Sequence, residues 1–280
     1  MPELPEVETV CRVMRRALLG KRLVGVEIAD DGIVYKADGP EAVQEALANR
    51  TVTGIGRHGK YWWIELDQRP WVFGHLGMTG WIRQLGAPTA RLLEHGNAPL
   101  DDSDGRPRFL KFLLTAEDGE RVSLTDGRRL ARVWLSESPE AVPAIAKLGP
   151  DWFTSPPAAA DLAERLARKK APIKAILLDQ AHFAGVGNWI ADEALYQARI
   201  APARLGMDLS SAEVKVLRKA LIEIISVAVE AGAESSLFPP DWMFHHRWGG
   251  DKGEEKIGRY KILREEIGGR TTAWVPALQK

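Results

Sequence analysis

Beyond Pro5 the apolar residues Val7, Val10, Cys11, Met14 and Leu18 recur at three- and four-residue spacing, and Gly20 follows them. That period puts them on one face of a helix, with the glycine as its stop. The pattern then changes. Segments 23–28, 61–66, 71–74, 81–85, 108–115 and 122–125 are rich in β-branched and aromatic residues, with turn signals such as Glu117-Asp118-Gly119 between them. They predict strands, and a β-sandwich with the first helix packed on it. Residues 86–107 are polar and contain Pro and Gly, which reads as a loop. Helical spacing returns over 161–170, 172–180, 188–198 and 210–231. Pro172 suits a first helical turn. Ser210 and Glu213 stand at capping-box spacing, and Gly232 closes the last helix. Near the C-terminus, 256–263 and 271–275 read as strands again.

The whole is therefore an α+β multidomain chain. Residues 1–135 form a helix plus β-sandwich, 136–157 a linker rich in Pro and acidic residues, 158–240 a helical domain and 241–280 a β-hairpin. No internal repeat or low-complexity tract interrupts this order.

Composition narrows the picture. A chain of 280 residues, 45% hydrophobic, is long enough for two packed domains. No apolar run is long enough to span a bilayer and the N-terminus has no apolar signal core, so neither a membrane partner nor secretion is expected. Cys11 is the only cysteine, which excludes an intrachain disulfide and fits a reducing compartment. The expected location is cytoplasmic and nucleoid-associated, or nuclear if the source is eukaryotic. Formal net charge is zero, which counts slightly against a nucleic-acid enzyme, although local patches matter more than the total.

The first candidate chemistry lies at the start, Met1-Pro2-Glu3-Leu4-Pro5-Glu6. A small residue after Met favours removal of the Met, leaving Pro2 as a terminal secondary amine. An α-amino group titrates near ~8 against ~10.4 for lysine, so a useful fraction is uncharged at neutral pH. Such an amine can attack an aldehyde-like carbon to give an iminium, with Glu3 beside it to move protons. A plainer reading makes Pro5 the first helical residue and Glu3, Glu6 and Glu8 complements to a helix dipole. The second candidate is Ala184-Gly185-Val186-Gly187-Asn188-Trp189, where glycines and a helix N-terminus can meet a phosphate. Asn188 there is also a good N-cap. The basic run Arg165, Arg168, Lys169, Lys170 and Lys174 upstream supports phosphate binding, though such a run is more often a solvated helix face.

With these residues in view, the chain resembles the formamidopyrimidine-DNA glycosylases. Pro2-Glu3-Leu4-Pro5-Glu6-Val7-Glu8-Thr9 is similar to that family's opening. Gly185-Val186-Gly187-Asn188 with Ala191-Asp192-Glu193-Ala194-Leu195 resembles its helix-two-turn-helix, and Gly74-His75-Leu76-Gly77-Met78-Thr79-Gly80 and Thr125-Asp126-Gly127-Arg128-Arg129-Leu130 resemble two further signatures. Leu4 favours this branch over the endonuclease VIII branch, which remains the nearest alternative.

The resemblance implies a monomeric base-excision enzyme acting on damaged double-stranded DNA held between the two domains, with no metal and no diffusible cofactor. Pro2 would attack C1′, Glu3 would serve as acid and base, and Glu6 would support them. Elimination at both flanking phosphates would follow. Lys60, His75, Asn188 and Arg270 match the family's phosphate-gripping residues, and Lys174 joins them from the basic run. Without the match, Lys60 would read as a strand-end lysine and His75 as a core histidine. Met78 resembles the apolar wedge that fills the hole left by a flipped base, and Arg128 its partner on the orphaned base. Leu130 stands where Phe is usual; it fills less volume and cannot stack, so weaker discrimination of the opposite base is expected.

Two further departures carry expectations. Relatives usually end in a four-cysteine zinc finger, but this C-terminus has no cysteine. Val275 and Leu278 stand at the cysteine positions, so a zincless finger is expected, packed on residues such as Trp248, Trp274 and Val275, as in plant-type relatives. Residues 233–240 are short where many relatives carry a loop over 8-oxoguanine. Formamidopyrimidines, hydantoins and abasic sites should therefore be better substrates than 8-oxoguanine. A damage-binding protein without chemistry, and a ribosomal or topoisomerase-like module sharing only the helix-two-turn-helix, are the competing classes.

Overall fold

Helix α1 (Leu4–Leu18) begins with Pro5 in its first turn and a reciprocal capping box between Glu3 and Glu6. These supply the orphan N–H groups of a helix start with partners. A computed structural model describes residues 2–87, 101–247 and 256–280. The first of its two units contains residues 1–147 and 232–235. After α1 come β1 (Leu23–Ile28), α2 (Pro40–Leu47), β2 (Val52–His58), β3 (Tyr61–Leu66), β4 (Trp71–His75), β5 (Trp81–Gln84), β6 (Leu110–Ala116), β7 (Arg121–Thr125), β8 (Arg132–Ser136) and α3 (Pro143–Ala146).

The strands form two four-stranded antiparallel sheets, ordered β1-β6-β7-β5 and β2-β3-β4-β8. Val7, Cys11, Met14 and Leu18 of α1 are fully buried in one core with Trp62, Ile64, Val72 and Leu114. Each such side chain stabilises the unit by roughly 1.5–3 kcal/mol. The outward rings of the second sheet are covered too. Trp63 stacks on Phe73 at 5.8 Å and Phe73 on Trp134 at 6.3 Å, with Val142 and Ile145 packed beside them. The stretch 136–157 is therefore no separate linker: its first part, including α3, belongs to this packed unit, and the second unit begins at Leu148. The expected loop 86–107 shows an isolated pairing of Asp101 with Pro107, while 88–100 lies outside the described residues.

Two strands escaped the sequence pattern. Gly54, Gly56, Arg57 and His58 dilute the apolar signal of β2, and β8 follows the Gly127-Arg128-Arg129 turn directly.

The second unit contains residues 148–231 and 236–280. It holds α4 (Ala159–Leu166), α5 (Ile173–Leu178), α6 (Asn188–Gln197) and α7 (Ser211–Glu230). Helix α7 opens as its spacing predicts: Ser210 N–H donates to Glu213 Oε2 at 2.8 Å, and Glu213 N–H to Ser210 Oγ at 3.3 Å. The segment read as one strand over 256–263 is instead β9 (Lys256–Ile257), β10 (Tyr260–Lys261) and the start of β11 (Leu263–Ile267), which pairs with β12 (Arg270–Trp274). Helical domain and hairpin thus share one unit rather than standing as two.

Candidate active site

In the first unit, Pro2 is buried, and Glu3 and Glu6 are 1% and 5% exposed. Glu3 N–H donates to Glu6 Oε2 at 3.1 Å. The helix-start role weighed for these residues is thus real, and it fixes the Glu3 backbone next to Pro2. One turn on, Glu8 takes Arg57 at 2.9 Å and Arg15 at 2.8 Å. Burial pushes the Glu8 carboxyl up, but the hydrogen bonds from Arg57 and Arg15 outweigh it and hold the carboxyl below its usual range. Arg57 NH1 also donates to Gly59 O at 2.9 Å, which ties the helix start to the β2–β3 turn carrying Lys60. Lys60 is 7% exposed, so it is not the solvated strand-end lysine that its position suggests.

His75 ends β4, its ring 5.0 Å from that of Tyr61. Its Nδ1 accepts the Gly77 N–H at 2.9 Å, which leaves the ring proton on Nε2. Burial, with Lys60 and Arg132 nearby, lowers its pKa to about 4. His75 is therefore a neutral, oriented donor at physiological pH. A histidine depressed in the fold contributes stability present above its unfolded pKa near ~6.5 and lost as pH falls through the folded value. Relative to a His75→Gln variant, the protein should lose a few kcal/mol of unfolding free energy between about pH 6.5 and 4. Parallel pH profiles in urea denaturation would contradict this assignment.

Met78 is 46% exposed on the turn after β4. Gly77 holds φ +62°, and a Cβ there would overlap the Leu130 carbonyl, so only glycine lets these two turns meet. Asp126, fully buried, organises both. It accepts Thr79 Oγ1–H at 2.6 Å and the N–H groups of Arg128, Leu130 and Ala131 at 3.1, 2.7 and 2.7 Å. Arg128 is exposed and Leu130 half-buried. Next to them Arg129 stands at φ +56° and is clamped to Asp31, as is Lys111. Met78, Arg128 and Leu130 therefore share one rigid support. The Thr-Asp-Gly-Arg-Arg motif pointed to this turn, but an Asp before Gly reads as a turn residue, not as a hub for four donors.

In the second unit, α6 starts at Asn188 with Gly187 as its N-cap, so Asn188 is not the cap its type suggested. Its Nδ2 donates to Thr271 O of β12 at 2.9 Å. Arg270, next to that strand residue, is exposed at the β11–β12 turn. Asn188 and Arg270 are thus brought together.

Lys174 requires a correction. It is wholly buried, its Nζ paired with Asp192 and donating to Asn188 O at 2.9 Å. An ammonium spent in this way does not reach a phosphate; it holds the start of α6. Arg165, Arg168 and Lys170 are exposed, and Arg168 pairs with Glu164, so most of that run is solvated surface at and beyond the end of α4 rather than one helix face. Asp192 also accepts Arg247 NH2 at 2.7 Å and Ala273 N–H at 3.2 Å. Sequence reasoning quoted Asp192 in a motif without giving it a role.

The described residues of the finger region do not make a zinc site. Val275 is fully buried with Met243, Ile257 and Ile262, and Leu278 packs against them. Among the described residues no three His, Cys, Asp or Glu side chains are grouped to hold a metal. Trp274 packs less than expected: it is half-buried, its Nε1 on Glu265 at 2.6 Å, and Trp248 lies outside the described residues.

The formamidopyrimidine-DNA glycosylase N-terminal domain model matches residues 1–133, and the formamidopyrimidine-DNA glycosylase H2TH domain model matches residues 148–239. The chain belongs to the formamidopyrimidine-DNA glycosylase family. It is 41% identical to the formamidopyrimidine-DNA glycosylase of Arabidopsis thaliana over 286 residues, covering 100% of this chain and 71% of that protein. The Halalkalibacterium halodurans formamidopyrimidine-DNA glycosylase is 32% identical, with 100% of both chains covered. Among solved structures, the Lactococcus lactis formamidopyrimidine-DNA glycosylase bound non-covalently to an AP-site-containing DNA superposes with a TM-score of 0.80 at 26% identity, covering 99% of each chain. The same organism's Fpg (MutM) with a FAPY-dG-containing DNA gives 0.79 at 27%, covering 99% of this chain and 100% of that one. This glycosylase is accordingly a DNA-binding enzyme of base-excision repair.

Proposed function

We propose that this glycosylase excises oxidised purines from duplex DNA and then cleaves the strand, through the Pro2 amine. What supports the reading is the start of α1, where a buried Pro2 is followed by Glu3 in a fixed backbone position. After loss of Met1, the Pro2 nitrogen attacks C1′ of the damaged nucleotide. The glycosidic bond breaks and the base leaves as its conjugate acid, with Glu3 managing the proton. The sugar ring then opens: the nitrogen lone pair expels O4′ from C1′, Glu3 protonates O4′, and the resulting iminium acidifies C2′–H. Removal of that proton expels the 3′ phosphate, and a second elimination expels the 5′ phosphate. Hydrolysis returns the amine.

Lys60 and His75 in one unit, and Asn188 and Arg270 in the other, bind the phosphates around the lesion. Met78, Arg128 and Leu130 fill the space vacated by the flipped base. The enzyme acts as a monomer, and formamidopyrimidines, hydantoins and abasic sites are its better substrates, with 8-oxoguanine a poorer one. Borohydride trapping on a duplex with one abasic site tests the chemistry. A single adduct located on Pro2 by mass spectrometry is the expected result. An adduct on a lysine, or none from protein shown to lack Met1, would overturn the assignment.

A further inference from the structure

Phe109 precedes β6 and is 51% exposed, more than the wedge residue Met78. Its backbone is left-handed at φ +57°, which a non-glycine residue adopts only at a cost of about 1 kcal/mol or more. Immediately after it the β6–β7 register shifts between Leu110 and Phe112, an irregularity of the kind that re-aims side chains at sheet edges. An exposed, bulky aromatic in a strained conformation contributes little to a core. The fold keeps it there nevertheless, and its surroundings are specific.

The Phe109 carbonyl accepts the Asp126 N–H at 2.9 Å. Asp126 is the residue whose carboxylate holds Thr79, Arg128 and Leu130. Phe109 is thus bonded to the same support as Met78's neighbour and the other two void-filling residues. Its ring lies against Gly127: a Cβ built on that glycine would stand 3.2 Å from Phe109 Cδ2, so the ring sits directly beside Arg128 in sequence. The Arg108 guanidinium lies 5.3 Å from the ring centroid, adding a cation next to an exposed π face.

We infer that Phe109 is a fourth DNA-inserting residue, stacking on a base beside the flipped-out nucleotide and supplying the aromatic surface that Leu130 lacks. The inference rests on the reading of Met78, Arg128 and Leu130 as void-fillers. An aromatic face stacks on any base, so Phe109 acts on affinity and base unstacking more than on lesion identity.

The left-handed backbone makes the test sharp. Glycine suits φ +57°, so Phe109→Gly should leave the melting temperature unchanged or raised, whereas truncation of a packing residue lowers it. The same variant should bind a duplex with a single abasic site about 10- to 100-fold more weakly, the range expected for loss of one base–aromatic stack. Phe109→Trp should bind as wild type and Phe109→Leu should not, since volume without a π face does not stack. A 2-aminopurine opposite or beside the abasic site should be quenched by wild type and by Phe109→Trp but stay bright with Phe109→Gly. Should Phe109→Gly fold poorly, Phe109→Asn, which also tolerates a left-handed backbone, carries the comparison. Wild-type affinity in Phe109→Gly while Met78→Ala binds weakly would overturn this inference alone. Wild-type affinity and quenching in both variants would overturn it together with the void-filling reading.

Discussion

A chain that keeps any residue in front of Pro2 is expected to lose covalent chemistry altogether. An acylated proline nitrogen is an amide: its lone pair is delocalised into the carbonyl and it cannot add to C1′. Under the proposed mechanism Glu3 cannot compensate, because a carboxyl group moves protons and does not supply a nitrogen. Protein expressed with an uncleavable N-terminal extension should therefore give at least ~100-fold less borohydride adduct with abasic duplex than protein beginning at Pro2. Glycosylase turnover should fall in parallel. Binding should survive, because the phosphate contacts proposed for Lys60, His75, Asn188 and Arg270 do not depend on the amine. The measurement pairs gel quantification of the adduct with an affinity titration on the same preparations. Equal adduct yields from the two forms would move the nucleophile away from Pro2 and make the buried Lys60 the first alternative.

The second large effect is expected at Asp192. One fully buried carboxylate there meets two buried cations, Lys174 and Arg247, and the Ala273 N–H. It joins α5, α6, the segment before the hairpin and β12. Asp192→Asn keeps the shape but leaves the Lys174 ammonium without its counter-charge in a site that water does not reach. Breaking a buried pair from one side costs roughly 3–5 kcal/mol. The urea midpoint should fall accordingly, and the hairpin bearing Arg270 should loosen first, since β12 is held through Ala273. Asp192→Asn/Lys174→Gln should recover part of the loss, because the double variant buries no lone ammonium. A single variant as stable as wild type would show that the cluster does not hold the hairpin. The finger would then depend on the apolar group around Val275 alone.

Much of the candidate site was legible in the sequence because its signals are local. The spacing of Val7, Val10, Cys11, Met14 and Leu18, and the Ser210–Glu213 box, depend only on neighbours three or four residues away, and α1 and α7 form as they predict. The β-branched and aromatic runs that mark most strands of the two sheets are local signals too, and so are the four motifs that bring Pro2, His75, Asn188 and Arg128 into view. The absence of cysteine at the ends of the finger is likewise visible in the sequence alone, and Val275 and Leu278, at the positions where cysteine is usual, pack in an apolar cluster.

What the tertiary structure decided is which side chains are already spent. Lys174 looks like one more member of a basic run. Its burial and its partner appear only when Asp192, 18 positions away, is packed against it. Asp192 itself collects donors from 55 and 81 positions away, Arg247 and Ala273. Asp126 takes Thr79 from 47 positions away and steadies two turns at once. Phe109 would pass as the start of a strand; its left-handed backbone and exposure, beside the register shift between β6 and β7, are seen only in the fold. Periodicity and motif spacing report what one segment prefers. Desolvated charge pairs and re-aimed side chains are properties of segments brought together from far apart in the chain, so the fold, and not the local pattern, determines them.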